Sequence, residues 1–459
     1  MPIKIRRSLW YTSLFLAKYK LQIIVSCLVA VSLGLIFTLL QNFLPKPKNV
    51  YYFGLIGQYS SSQLPEVVVT FLNSGLTTID SKEKVYPNLS TGWQVSEDGK
   101  SYTFTLKPNL LWSDGSSVTL SDINFNIRDV AFSTKDPDQL IFNLPAKFAP
   151  FPSILNFPIS SKSGLLSSPY TVKVKQKSSG VITDIVLESK RDIYYLKVYP
   201  TSSLALTSYK LGEIDAILEI PSFGINSLPQ TTGLTQTNVN YRQTALLYFN
   251  HQDPLLKEKS IRQGLAYLIK DKSFSNERAM TTLSTNSWAF NPVVKNYQYD
   301  PERGKKLITD SLSPETKNIN LELSTIPELL PIAETIKQDL QSDLVSINIK
   351  VVTGTPQSFQ LFLGFFDIPS DPDQYSSWHS TQNRNISHIN SEKLDKYLED
   401  GRTTIDLDDR KQLYYEFQRI FAEELPALPL FYPKILFLAR NSRFFDIITL
   451  MFYRQNLGG

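Results

Sequence analysis

The sequence predicts an α/β protein carried on one N-terminal membrane-spanning helix, and three observations predict it. A run of 24 residues without a charge, Leu21–Leu44, is long enough to cross a bilayer as a helix. Residues 170–219 then hold three alternating runs of strand character, YTVKVKQ, GVITDIVLES and DIYYLKVYP. Beyond about residue 250, helical and strand patterns take turns, as in an α/β lobe.

The N-terminus carries the positive charge of the chain. Lys4, Arg6, Arg7, Lys18 and Lys20 precede the apolar run, and no acidic residue occurs before position 45. The rest is close to neutral, 42 basic against 43 acidic residues, so no basic face for nucleic acid is expected. Cationic flank followed by apolar span puts residues 1–20 in the cytoplasm, 21–44 in the membrane and the remainder outside the cytoplasm. An uncleaved anchor fits better than a cleaved signal peptide, because the run is long and no small-x-small site precedes PKPKN. Val25-Ser26-Cys27 has the look of a lipobox, but Lys20 lies too close before it and the apolar run continues well past it. Cys27 is the only cysteine, which leaves the outer part without a disulfide or a thiol nucleophile.

With 459 residues, 42% of them hydrophobic, the chain can bury two or three domain cores, and 27 prolines, 23 tyrosines and 27 phenylalanines favour strands and turns. After the PKPKNV spacer come two apolar stretches, YYFGLIG and EVVVTFL. SYTFTLKP alternates Tyr102, Phe104 and Leu106 with polar residues, a half-buried strand between the turns SEDG and SDGS. TLSDINFNIRDVAF reads as a helix start, with Ser121 or Asp122 at the cap and Ile123, Ile127 and Val130 at helical spacing. Six prolines between residues 136 and 169 predict a long irregular loop region. LGEIDAILEI reads as a turn into a buried strand, and TALLYFN as another apolar strand. IRQGLAYLI, YDPERGKKLI (Pro301 at its start), PELLPIAETIKQDLQSD and DDRKQLYYEFQRIFAEEL read as helices. NINLELST, INIKVVT and PALPLFYP read as strands.

No pattern supports catalysis. Three histidines (His251, His379, His388) form no HxH or HxxxH pair, so no metal or other cofactor is expected. GxSxG, P-loop and GxGxxG motifs do not occur. Ser81–Lys84 is an SxxK without its companion motifs, and Asp371 and Asp373 in DPDQY are first of all turn aspartates. Trp112, beside the Asp114-Gly115 turn, reads as the seal of a small hydrophobic corner.

Taken in order, Gly75–Ile127 resembles the N-terminal signature of family 5 extracellular solute-binding proteins, the oligopeptide-, dipeptide- and nickel-binding receptors of ABC importers. Leu89, Trp93, Asp98-Gly99, Tyr102, Phe104, Leu106, Trp112, Asp114-Gly115 and Asp122 stand at the matching places. LGEIDA, LLYFN with IRQGLAYLIKDKSF, YDPERGKKLI, HINSEKLDKYLEDGR and LDDRKQLYYEFQRIFAEELPALPLFYP resemble later segments in the same order, over roughly residues 60–445. The resemblance implies a two-lobed type II periplasmic-binding-protein fold with an extra domain inserted in the first lobe. Lobe I would combine 45–65, 168–249 and 426–459; the inserted domain would be 66–167, and lobe II 250–425. It also implies a binding protein rather than an enzyme, one that captures short peptides in an interdomain cleft and delivers them to an ABC permease with its ATPase. The ectodomain would be monomeric. A sensor or assembly factor on the same fold, or a receptor for a non-peptide solute, is the alternative.

Peptide-binding members hold the ligand's terminal ammonium with an aspartate in lobe II. The corresponding stretch resembles GFFDIPSDPDQYSSW (Gly364–Trp378), where Asp367 falls near that place, although the usual ADY triplet is not preserved. Phe366, Tyr375 and Trp378 are candidate walls, with ordinary lobe core as the competing reading. Trp288 is a further cleft candidate by position.

Overall fold

The computed structural model describes residues 3–43, 47–60, 64–223 and 233–453. Leu44 at the end of the expected anchor, Pro45 and Lys46 of the spacer, and residues 454–459 of the expected first lobe lie outside them. The chain divides into two units, residues 1–50 with 190–193, and residues 51–189 with 194–459.

The first unit is dominated by a helix, Ile3–Phe43, with a non-helical residue at Tyr19. Its Trp10–Thr38 stretch, 29 residues at a mean hydropathy of 2.3, is long and apolar enough to cross a membrane. At 1.5 Å per residue that is about 40 Å of helix, more than a ~30 Å hydrocarbon core requires. The helix thus begins well before the expected span, because the flank preceding Lys18, LWYTSLFLA, is itself apolar.

Three sheets organise the rest. A seven-stranded sheet runs, edge to edge, Thr171–Gln176, Ile182–Glu188, Asp192–Tyr199, Asn49–Ile56, Ala216–Pro221, Lys434–Ala439 and Leu234–Val239. A six-stranded sheet runs Glu277–Arg278, Ala427–Tyr432, Gln243–Phe249, Leu361–Asp367, Ile319–Thr325 and Val345–Val351. A four-stranded antiparallel sheet holds Ser90–Val95, Ser101–Leu106, Gln139–Asn143 and Ala131–Lys135. Each builds its own core. One face of the six-stranded sheet packs Leu247, Phe249, Leu321 and Leu323 on the helices Lys259–Leu268, Pro301–Ser311 and Leu330–Leu340. Its other face packs Leu246, Tyr248 and Phe362 on Trp378, Phe417 and Phe421. Under the four-stranded sheet, Tyr102, Phe104, Leu106 and Trp112 are buried with Phe142 and Phe151, so Trp112 does seal a corner.

Local chemistry sets the element ends. The Asp300 side chain accepts from Arg303 N at 3.0 Å ahead of Pro301, and that of Asp406 accepts from Asp408 N and Asp409 N at 3.0 Å each. Gly212 ends the Ser202–Leu211 helix in the left-handed region, φ 83°, where a side chain would be strained.

The structure differs from the sequence expectation in three places. The helix expected from Ser121 onward is only a 3-10 turn, Leu120–Asp122. The chain then runs extended, burying Ile123 and Phe125 while Asn124 and Asn126 face solvent. The true period there is two, and Phe125 is the residue the helical reading passes over. Residues 136–169 are not an irregular loop throughout. They supply the Gln139–Asn143 strand and the small hairpin Ser160–Ser161/Gly164–Leu165. Finally, Gln243–Phe249 and Ala427–Tyr432, expected in the first lobe, pair with each other in the six-stranded sheet, where Gln243–Phe249 also pairs with Leu361–Asp367. The two crossings between sheets are therefore Asn240–Arg242 and Pro433, tied together by Asn240 N donating to Pro433 O at 2.8 Å.

Candidate functional site

A cleft opens where these crossings join the two sheets. Its largest compartment, about 880 Å³, is lined from the seven-stranded side by Tyr59, Glu219 and Ile435 and from the six-stranded side by Gln243, Phe365 and Asp367. A second compartment, about 610 Å³, shares Glu66, Glu219, Asn240, Arg242, Ile368 and Ile435 with it and adds Asp80 and Glu83. A third, about 670 Å³, shares Glu66, Asn156 and Ser370 with the second.

Arg242 stands where the first two compartments meet. Its guanidinium reaches Glu66 Oε2 at 2.9 Å and donates to Glu219 Oε1. Glu66 belongs to the first turn of the Glu66–Leu72 helix, so three separate segments meet in this one cluster. Glu219 is delivered by a bulge: pairing with Lys434–Ala439 shifts between Ile217 and Ile220, and Glu219 takes φ 53°. Burial raises the Glu219 carboxyl above its ordinary range, opposed by Arg242 and reinforced by Glu66. Burial alone would lower the Arg242 guanidinium, and the two carboxylates reverse that and leave it raised. Two carboxylates on one cation leave the cleft wall with a surplus of negative charge.

Asp367 ends its strand beside this cluster. It is exposed, faces Gln243 across the Gln243–Phe249 strand, and its Oδ1 accepts from Gln243 Nε2 at 2.9 Å. Ile368 N donates to Arg242 O at 2.8 Å, which keeps the strand end at the crossing. Asp367 is thus a carboxylate with an open face toward the cleft, able to accept from a cation.

The other residues singled out from the sequence stand elsewhere. Phe366 and Trp378 meet at 5.5 Å between ring centroids in the core of the six-stranded sheet, and Trp378 is 1% exposed. Trp378 Nε1 donates to Gln374 Oε1, and its ring meets Phe421 edge-on. Tyr375 stacks on His379 at 4.2 Å and lies beneath the Arg402 guanidinium. Trp288 N donates to Lys82 O, and its ring lies under the Arg410 guanidinium and edge-on to Tyr414. None of these four lines any of the three compartments, whereas Asp367 lines the largest. Asp371 and Asp373 are structural: Asp371 takes two hydrogen bonds from Arg410, at 2.6 and 2.9 Å, and Asp373 one from Arg402. Among the described residues, no group of three or more His, Cys, Asp or Glu is placed to hold a metal ion.

Glu83 contributes a pH dependence. Burial pushes its carboxyl up to about 7, against the Ser287 and Ser284 hydroxyls, and Glu66 and Asp371 add to the rise. A carboxyl whose folded value lies above its unfolded one binds more protons when folded. Its contribution to stability is therefore fully present below the unfolded value and is lost as pH rises toward 7. Glu83→Gln should remove this loss, raising stability at pH 8 by about 1–3 kcal/mol while leaving pH 4 nearly unchanged. Denaturant melts at both pH values read it directly, and equal shifts at the two would contradict it.

Two sheets joined by adjacent crossings around an open, charged cleft form the architecture of a two-lobed solute receptor. The profile "Bacterial extracellular solute-binding proteins, family 5 Middle" matches residues 84–183 and 192–387, more than half of the chain, and the chain belongs to this family of non-enzymatic solute-binding proteins. Among curated relatives, "Probable di/tripeptide-binding protein 5" of Pseudomonas aeruginosa is 22% identical, over 84% of this chain and 89% of that protein. Among solved structures, the substrate-binding protein CtaP of Listeria monocytogenes superposes with a TM-score of 0.68 at 19% identity, covering 86% of this chain and 94% of that one. The oligopeptide-binding protein AppA of Bacillus subtilis, solved with a nonapeptide, gives 0.64 at 18% identity, over 86% and 95%. The fold is the α/β periplasmic-binding-protein type.

Proposed function

We propose that this chain is a membrane-anchored, extracytoplasmic receptor that captures short peptides in the cleft and delivers them to an ABC permease and its ATPase. The observation that carries the reading is Asp367, a carboxylate at a strand end that lines the largest compartment and keeps an open face toward it. It takes the peptide's terminal ammonium, and the Glu219–Arg242–Glu66 cluster lies alongside the peptide. Relatives named for di- and tripeptides, and a solved neighbour holding a nonapeptide, favour peptide over other solutes. The Trp10–Thr38 helix is the anchor, with the cationic flank in the cytoplasm and the receptor outside as a monomer. Lobe I is built on the seven-stranded sheet, lobe II on the six-stranded sheet, and the inserted domain on the four-stranded sheet. The lobes close about Asn240–Arg242 and Pro433.

Thermal unfolding of the full chain in detergent, with and without a mixed di- to octapeptide pool, tests this. A ligand at 100 times its dissociation constant stabilises the folded state by about 2.7 kcal/mol. The expected result is a rise in midpoint with peptides and none with oligosaccharides. A well-folded protein that answers to oligosaccharides alone would be a receptor for another solute.

A further inference from the structure

The chain begins to fold only a short way past its anchor. The uncharged part of the helix, Leu21–Phe43, rises about 35 Å, little more than a ~30 Å hydrocarbon core. With Lys18 and Lys20 at the cytoplasmic boundary, the helix end emerges into the outer headgroup layer. Residues 44–48 alone separate Phe43 from Asn49, so the Asn49–Ile56 strand begins within about 20 Å of the helix end. Asn49 holds a distant turn at that place. Its N donates to Arg191 O at 2.9 Å and its Nδ2 to Asp192 Oδ1 at 2.9 Å, and residues 190–193 belong with the anchor to one compact unit. Lys48, Lys190 and Arg191 are exposed there. The one carboxylate among residues 47–50 and 190–193 is Asp192, half-buried and engaged by Asn49. Three cations against one carboxylate is a local surplus in a chain whose charges beyond the N-terminus nearly balance.

We infer that Lys48 and the Lys190–Arg191 turn form a docking surface for the anionic phospholipid headgroups of the outer leaflet. This rests on the anchor reading above and adds a second hold on the bilayer. The partner follows from the tether. An exposed cation gains from an anionic membrane only near its surface, over a Debye length of about 8 Å at physiological salt. A tether of about 20 Å at full extension keeps the patch in or beside that layer, where lipid phosphates are already concentrated. A soluble acidic partner would instead have to enter the space between the turn and the bilayer. The turn adds what Lys48 lacks alone. Arg191 can take two phosphate oxygens through its planar fork, and Lys190 adds a point charge to that of Lys48. The two hydrogen bonds from Asn49 make the three cations one preassembled group, so no loop has to be ordered on contact.

Acetylation of lysine amines of the full chain in lipid nanodiscs, read by mass spectrometry, tests it. The discs are phosphatidylcholine alone or with about a third phosphatidylglycerol, and the reagent is uncharged. The expected result is that Lys48 and Lys190 react about fivefold or more slowly in the anionic discs. Lys100, exposed in the turn between Ser90–Val95 and Ser101–Leu106, should react equally in both. Molar salt should erase the difference, since it shortens the Debye length to about 3 Å. Lys190→Glu combined with Arg191→Glu should abolish the protection of Lys48. Protection kept in that variant would show that the tether alone brings Lys48 close, and would remove the turn from the surface. If the double variant does not fold, the comparison of discs and salts on the unaltered chain decides alone. Equal rates in the two discs would overturn the patch and leave the anchor standing. Equal protection by inorganic phosphate in phosphatidylcholine discs would make it a site for free anions and overturn the lipid. A chain that neither kind of disc retains would overturn the anchor and the patch together.

Discussion

Asp367→Ala should weaken binding of a free-amine peptide about a hundredfold, a loss of about 3 kcal/mol. The size follows from what the substitution leaves behind. An ammonium drawn into the cleft would have surrendered water and found no carboxylate at the strand end, where Gln243 offers only an amide. Asp367→Asn keeps the side chain's shape and its contact with Gln243 but removes the charge, so it should lose nearly as much. Both variants should melt within about 0.5 kcal/mol of the unaltered chain when no peptide is present, because the side chain is exposed and makes one side-chain hydrogen bond. A titration in which Asp367→Ala binds as before would remove Asp367 from the site.

Arg262→Ala carries the second large effect, and it falls on folding rather than on binding. Arg262 is 1% exposed, and burial holds its guanidinium down at about 10. It donates to the carbonyl oxygens of Leu256 and Lys257 before its own helix and of Glu424 and Leu425 at the end of the Leu407–Glu424 helix. Leu425 takes φ 53° there, turning the chain into the Ala427–Tyr432 strand that returns to the cleft. Alanine would leave several buried carbonyls without donors and open a cavity, costing about 3–5 kcal/mol. Lysine should restore little of it, since a single ammonium cannot span two chain ends as a planar fork does. Denaturant unfolding reads the loss, and a change below 1 kcal/mol would show that these contacts are not what holds the turn.

How much of this was legible in the sequence depended on distance along the chain. Tyr102, Phe104 and Leu106 announce their strand because a half-buried strand alternates, and Pro301 announces a helix start because its fixed φ and missing N–H suit the first turn. Ile123–Val130 misled because Ile123, Ile127 and Val130 fit a helical stripe while Phe125, between them, is also buried. The strand LLYF was visible, but its sheet was not. A strand buried on both faces carries no mark of which neighbour it pairs with, and the composition change after Asn250 follows its end rather than the crossing at Asn240–Arg242. Asp367 was reached through family resemblance. The residues that share its cleft were not, because Glu66, Glu219 and Arg242 lie far apart in sequence and meet only once the sheets are assembled. Trp378 and Phe366 drew notice as aromatics near an acidic turn, and their burial shows the commoner use of such side chains, as core.

The central claim is that the cleft recognises a peptide by its free amino terminus. Titration of the full chain with one tripeptide and with its N-acetylated twin isolates that charge, since nothing else differs between the two ligands. The expected result is saturable binding of the free amine and at least a hundredfold weaker binding of the acetylated form. Equal affinity for the two would contradict it.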